Sequence, residues 1–275
     1  MSYVLVRPAL NEEYEKIAKV FILSFNIKTT DQADLEKIIQ RIKIIIDEGL
    51  TSFSIAEENG EIIGIGGETR YIGSSYIGYI GVIPSRRRLG IGSMIFERIL
   101  VEASKSNPTV ELFANPGVDS IYRRFGFIDE FHTHIFELSS KNNNEEKNVT
   151  ILDNTVPQWL YELDRKAMGF DRSKLLNYLI KWKGCSIASF ENKGFAIFDK
   201  DNVGPLIATK KEIAFSLLNM ILLSGPKKFV APERIIADLQ IYSPKKIQSC
   251  LKMIYGNQIK SEYNWIWGYG AYATS

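Results

Sequence analysis

The sequence predicts a mixed α/β chain of the α+β kind, arranged as two domains, and three observations carry that reading. Its 275 residues are about twice the commonest domain size. Helical and strand periodicities alternate along its length. One run, Ser139-Ser140-Lys141-Asn142-Asn143-Asn144-Glu145-Glu146-Lys147-Asn148, has no apolar side chain to bury. It places a linker at residues 140–149, between a domain of residues 1–139 and a second of residues 150–275.

In the first half, Asn11 is a plausible N-cap for a helix carrying Tyr14, Ile17, Ala18 and Phe21 at helical spacing, and residues 31–47 repeat Leu35, Ile38, Ile39, Ile42 and Ile45. Strands are expected at 52–57, 62–71 and 76–83, separated by Glu58-Asn59-Gly60 and Gly73-Ser74-Ser75, an antiparallel meander. A helix follows over 90–104, then a strand at 109–114, a short helix at 118–124 and a strand at 131–138. The second half repeats this order: helices at 159–167 and 173–182, strands at 185–190, 194–198 and 203–208, a helix at 211–223, a strand at 228–231 and an aromatic strand at 263–272.

Composition narrows the function classes. Apolar residues are 45% and charged residues 24%, the balance of a soluble globular protein. A net charge of 34 − 32 = +2 gives no bulk electrostatic case for nucleic-acid or membrane-surface binding. The longest apolar stretch, Ile213 to Leu223, is interrupted by Ser216 and Asn219 and falls short of the roughly 20 residues of a membrane span. Residues 1–7 lack the pattern of a secretory signal, and the solitary Cys185 and Cys250 fit a reducing, cytoplasmic setting without a disulfide framework or zinc site. Nothing in the sequence indicates an oligomer.

The most informative segment is Val82-Ile83-Pro84-Ser85-Arg86-Arg87-Arg88-Leu89-Gly90-Ile91-Gly92-Ser93, in which a strand passes through an arginine-rich turn into a helix. Gly90 and Gly92 permit close approach of the backbone, and the first amides of a helix have no partner within it. Those amides and the positive end of the helix dipole suit a pyrophosphate, with Arg87 or Arg88 as counter-charge. A P-loop would need lysine and serine or threonine after its last glycine, and Ser93-Met94 does not supply them. A dinucleotide fingerprint would need glycine or alanine at Ile95.

The spacing Arg87-Arg88-Leu89-Gly90-Ile91-Gly92 resembles the R/Q-x-x-G-x-G/A signature of the GNAT superfamily of acyl-CoA-dependent N-acetyltransferases. Downstream, Asn115 and Ile121-Tyr122-Arg123-Arg124-Phe125-Gly126-Phe127 resemble that family's asparagine and its Y-x-x-x-G-F segment. The resemblance covers about residues 3–139. It implies acetyl-CoA as cosubstrate, held by Val82, Ile83, Arg87, Arg88, Leu89, Gly90, Ile91, Gly92, Ser93, Asn115 and Tyr122, and direct transfer to a small-molecule amine. Tyr122 stands at the family's usual general-acid position, beside the leaving sulfur. The strand at 76–83 has no carboxylate, so Glu68 on the preceding strand is the nearest candidate base, although a solvated strand glutamate is the plainer reading.

Other clusters are weaker. His132 and His134 share a strand face, yet no carboxylate or cysteine at suitable spacing completes a metal site, and none is expected. Phe170-Asp171-Arg172-Ser173 and Val203-Gly204-Pro205-Leu206 resemble the degenerate C-terminal domain of tandem GNAT proteins, with Asp171 as a possible helix cap. The corresponding turn there, Thr209-Lys210-Lys211-Glu212, has no glycine pair, so that domain is expected to bind no acetyl-CoA. Trp265, Trp267 and Tyr269 at period two would present one aromatic face, by default to the core. A noncatalytic acyl-CoA sensor, with the same cradle and no transfer, is the alternative from another class.

Overall fold

The computed structural model describes residues 3–139, 146, 148–152 and 155–270. The chain gathers into two compact units, Met1–Arg70 with Ser74–Leu112, and Tyr71–Gly73 with Phe113–Ser275. Each is a mixed sheet flanked by helices.

In the first unit, β1 (Val4–Pro8), β2 (Thr51–Glu58), β3 (Glu61–Arg70) and β4 (Ser75–Val82) form an antiparallel sheet in chain order. β4 then pairs in parallel with the start of β5 (Thr109–Ala114), at Ser75↔Val110 and Tyr76↔Glu111. Helices α1 (Tyr14–Phe25) and α2 (Gln32–Asp47) lie between β1 and β2 in sequence, the latter capped by Asp31, whose side chain accepts from Asp34 N at 2.9 Å. Helix α3 (Ile91–Ser106) buries Ile91, Ile95, Phe96 and Ile99, each worth about 1.5–3 kcal/mol of burial. It lies close because β3 has no side chain at Gly66, where a Cβ would come within 2.5–2.7 Å of Ile80, Ile99 and Ile95. A side chain there would force those isoleucine side chains to shift.

The second unit holds α4 (Asp119–Arg124), β6 (Ile128–Leu138), β7 (Val149–Leu152), α5 (Gln158–Met168), α6 (Ser173–Lys181), β8 (Ser186–Phe190), β9 (Gly194–Phe198), β10 (Asn202–Ala208), α7 (Lys211–Leu222), β11 (Lys227–Pro232), β12 (Lys245–Gly256) and β13 (Ile266–Gly268). Its strands run in the order β12-β6-β11-β10-β9-β8-β7, with β13 also on β10. α7 supplies Ile213, Ala214, Leu217, Leu218 and Ile221 to a core shared with Phe136, Leu206, Phe229 and Trp267.

Several expectations need correction. β1 and β7 are additional strands, and Val149, assigned to the linker, opens β7 opposite Phe190. Linker residues 140–145 and 147 lie outside the described residues. The expected strand at 263–272 is a 3-10 turn at Tyr263–Trp265 followed by the three residues of β13, and residues 271 and 272 are likewise outside the description. Trp265 therefore does not share a strand face with Trp267, which enters the core and donates its indole N–H to Ala208 O at 3.0 Å. The largest omission is β12, which pairs with β6 from Lys245↔Glu137 to Ile254↔Ile128.

Candidate active site

The residues singled out in the sequence divide between the units: Glu68, Val82, Ile83 and Arg87–Ser93 belong to the first, Asn115 and Tyr122 to the second.

In the first unit, β4 continues six residues beyond its last position paired with β5, Tyr76↔Glu111. Within that extension the register with β3 slips, Ile65 facing Gly81 and Gly67 facing Gly78, so Tyr79 and Ile80 both oppose Gly66. This is a β-bulge, and Tyr79 sits in it at φ +59°, a conformation that costs a non-glycine residue on the order of 1–2 kcal/mol. Aromatic packing holds it there, with ring centroids 5.6 Å from Phe21 and 5.3 Å from Phe53. Sequence reading missed the bulge; Gly78 and Gly81 on either side were its only trace.

Just past the bulge, Ile83 N donates to Ile63 O at 3.0 Å and Ile83 O accepts from Arg86 N. Both main-chain groups of Ile83 thus have a partner within the protein. Strand alternation then turns the Val82 N–H away from β3, toward the side on which, among the described residues, no strand pairs with this part of β4. Val82 O accepts from Arg87 Nε at 3.1 Å, and Arg87 Nη2 also ties to Ser24 O at 2.7 Å. Arg86 pairs with Glu58 at 2.7 Å. Arg88, exposed and at φ +63°, is the arginine of the triplet best placed to serve as counter-charge.

The turn itself suits an anion. Gly90 caps α3 at φ +81°, where a side chain would be strained. A Cβ at Gly92 would meet only Val82 Cγ2, at 3.8 Å, outside its own helix and chain neighbours, so there is room beside the start of α3 at that position. Ile91 is buried in α3 and can offer only its backbone, whereas Leu89 is 65% exposed. The amides of Ile91, Gly92 and Ser93 form a helix N-terminus of the kind that binds phosphate.

Glu68 is buried, which corrects the solvated reading. It faces Ile77, five positions from Val82 along β4, roughly 15 Å of strand. Both of its oxygens carry donors: Arg70 Nε at 3.1 Å and Ser75 Oγ at 2.7 Å on Oε1, Arg70 Nη2 at 2.8 Å on Oε2. Asn107 Nδ2 donates in turn to Ser75 Oγ at 3.0 Å. A carboxylate held this way is well placed to fix the start of β4 and poorly placed to take a proton from an amine.

In the second unit, Tyr122 stands on α4, half-buried, with its ring centroid 6.3 Å from Phe127. Its carbonyl accepts from the amides of both Phe125 and Phe127, at 2.9 and 3.2 Å, while Gly126 turns the chain at φ +90°. Burial pushes the phenol up to about 12, so it keeps its proton at neutral pH. Asn115 is exposed; its Oδ1 accepts from Gln248 Nε2 at 2.8 Å and from Cys250 Sγ at 3.3 Å.

His134 Nδ1 lies 2.8 Å from Ser249 Oγ, and burial pushes its pKa down; the His132 ring is 6.4 Å away. Among the described residues no group of three His, Cys, Asp or Glu side chains is arranged to hold a metal ion. Asp171, expected as a helix cap, stands one residue before Arg172, the N-cap of α6, and its Oδ1 accepts from the first helical amide, Ser173 N, at 2.8 Å as in an Asx turn. Beside it Arg172 and Asp164 form a buried two-bonded pair, at 2.9 and 2.8 Å.

Comparison with known proteins gives this geometry a context. A family profile described as "Acetyltransferase (GNAT) domain" matches residues 160–268, and a second of the same description matches residues 49–129. A Pyrococcus horikoshii protein of solved structure, provisionally named an acetyltransferase, is 26% identical, with a TM-score of 0.89 over 98% of this chain and 95% of its own. A tandem GNAT protein from the clavulanic acid biosynthesis pathway is 10% identical, with a TM-score of 0.59 over 92% of this chain and 98% of its own. A GCN5-related N-acetyltransferase from Sphaerobacter thermophilus is 14% identical, with a TM-score of 0.59 over 94% and 98%. At that identity the last two speak for the fold alone. No curated protein sequence matches the chain. No helix among the described residues is long and apolar enough to cross a membrane.

Proposed function

The chain is a tandem GNAT N-acetyltransferase-like protein, and from that premise we propose that it transfers an acetyl group from acetyl-CoA directly to a primary amine of a small molecule in the cytoplasm. Residues 1–139 are the cofactor-binding domain in this reading, and residues 150–275 the degenerate partner domain. The observation that carries it is the turn at Arg88–Ser93, where an open surface at Gly92, a left-handed Gly90 and the amides opening α3 fit a pyrophosphate. Val82, Leu89 and Asn115 complete the set that would hold the cofactor, which when bound supplies the acetyl group as a thioester.

The chain's own groups then have distinct tasks. The Val82 amide, turned out of the β3 ladder by the alternation beside the bulge, is available to polarise an acyl carbonyl. Tyr122 keeps its proton and donates it as a hydrogen bond to the departing sulfur. With the phenol near 12 and an ordinary thiol at roughly 8.5, full transfer is uphill, so donation rather than ionisation is its contribution. The amine's proton goes to solvent, because Glu68 already serves Arg70 and Ser75, and the thiolate released from the thioester takes its proton from solvent in turn.

The test is acceptor-dependent release of CoA across panels of simple amines, amino acids, polyamines and aminoglycosides. Turnover with at least one panel, together with calorimetric binding of acetyl-CoA, is expected. Binding without turnover on every panel would turn the reading into that of a sensor, and absence of binding would end it.

A further inference from the structure

Within the second unit, strand β12 touches the motif segment that runs from Asn115 to Phe127. Its register with β6 slips between Lys246 and Gln248, so that Lys246 faces Phe136 and Gln248 faces Ile135 with Ile247 inserted between them. Such a bulge reverses the alternation of side chains along the rest of the strand. After it, Gln248 and Cys250 share a face, and both meet Asn115. Gln248 Nε2 also reaches Cys250 Sγ at 3.4 Å, so two linked donors converge on a single oxygen, Asn115 Oδ1. Farther along, the Tyr255 ring lies 5.5 Å from that of Phe127 and within 3.3 Å of a Cβ built at Gly126. β12 thus braces the Asn115–Phe127 segment at both ends.

A side-chain amide has two chemically opposite faces, and whichever end is pinned decides which end is presented. With Oδ1 held by donors on β12, exposed Asn115 presents its Nδ2 donor to a ligand. The pantetheine arm of a CoA thioester carries amide carbonyls, which accept such a donor. We propose that Gln248 is a positioning residue for the acyl-CoA site: it sets the orientation of Asn115 and thereby the affinity for the cofactor. The inference rests on the assignment of Asn115 to that site.

The test uses the full-length chain and CoA itself, with affinity read by calorimetry and melting temperature as the control for folding. Gln248→Glu keeps the size of the side chain but replaces the donor by an acceptor, turning the Asn115 amide round; CoA affinity is expected to fall at least about tenfold. Gln248→Lys restores a donor and is expected to bind within about threefold of wild type. In an Asn115→Ala background the Gln248→Glu change is expected to add less than about twofold, because the effect is carried by Asn115. Wild-type affinity in Gln248→Glu, or a loss that persists undiminished in the Asn115→Ala background, overturns the inference while leaving the acyl-CoA reading intact. If the wild-type chain takes up no CoA, the reading itself fails, and the inference with it.

Discussion

Glu68 and Ser75 meet across the β3–β4 hairpin, the serine hydroxyl donating to Glu68 Oε1 at 2.7 Å while Arg70 covers both oxygens of the same carboxylate. The contact joins the end of one strand to the start of the next, where β4 still has β5 as a partner. Glu68→Gln is therefore expected to lower stability by about 1–2 kcal/mol, through loss of the ionic part of a buried cluster. In the proposed reaction, where the amine's proton goes to solvent, it should leave kcat within about threefold of wild type. A fall of two orders of magnitude or so in kcat at unchanged melting temperature would make Glu68 the base after all.

Tyr122→Phe removes the donor and keeps the ring against Phe127. The expected result is a loss of kcat of about a hundredfold or more, with acetyl-CoA affinity changed less than about threefold. Because burial pushes the phenol up to about 12, its ionisation should produce no decline of kcat below a pH of about 10. Equal rates in the two proteins would remove Tyr122 from the chemistry.

A side chain at Gly92 separates folding from binding. Its Cβ has room, with Val82 Cγ2 at 3.8 Å as the nearest contact, so Gly92→Val should fold with a melting temperature near that of wild type. The added methyls would occupy the surface where a phosphate approaches the amides of α3, and acetyl-CoA affinity is expected to fall by at least about tenfold. Calorimetry on both proteins decides it, and unchanged affinity would move the phosphate elsewhere.

Acid stability has one prominent contributor. Arg7 donates to both oxygens of Glu13, at 2.8 and 2.7 Å, and also bonds Glu57; the Glu13 carboxyl is pulled down from 4.5 to about 2, chiefly by that hydrogen bonding. The folded state then holds fewer protons than the unfolded chain between those values. The resulting stabilisation, on the order of 1–3 kcal/mol, is complete above a pH of about 4.5 and lost as pH falls toward about 2. Glu13→Gln should be less stable than wild type at neutral pH, with the gap closing toward pH 2 or so in denaturant titrations. A gap of constant size across that range would assign the effect to packing.

How far the sequence could be read depended on how regular each element is. α3 and α7 announced themselves because their apolar residues keep one period and face one core. β12 did not: the bulge at Ile247 breaks its two-residue alternation, and Ile247, Cys250, Leu251 and Ile254 fall at the i, i+3, i+4, i+7 spacing of a helix rather than at that of a strand. The turn at Arg87–Ser93 was legible because glycines at fixed offsets serve a backbone purpose. What Arg87 and Ile83 bond to was not, since Ser24 and Ile63 come from elsewhere in the chain and spacing carries no record of them. The burial of Glu68 was hidden because its partner Ser75 belongs to Gly73-Ser74-Ser75, which reads as a turn, whereas the structure opens β4 at Ser75.

The position of β6 bears on how the protein is made. Both of its neighbours, β11 and β12, are encoded far downstream, the latter ending at Gly256, 118 residues after Leu138. On a ribosome adding roughly 5–20 residues per second, β6 would wait on the order of 6–24 s for its second partner. Until β11 is made the nascent chain would display an unpaired strand bearing Phe131, Ile135 and Phe136, and until β12 follows one edge of that strand would stay open, a surface on which chaperones act and through which two incomplete chains could associate.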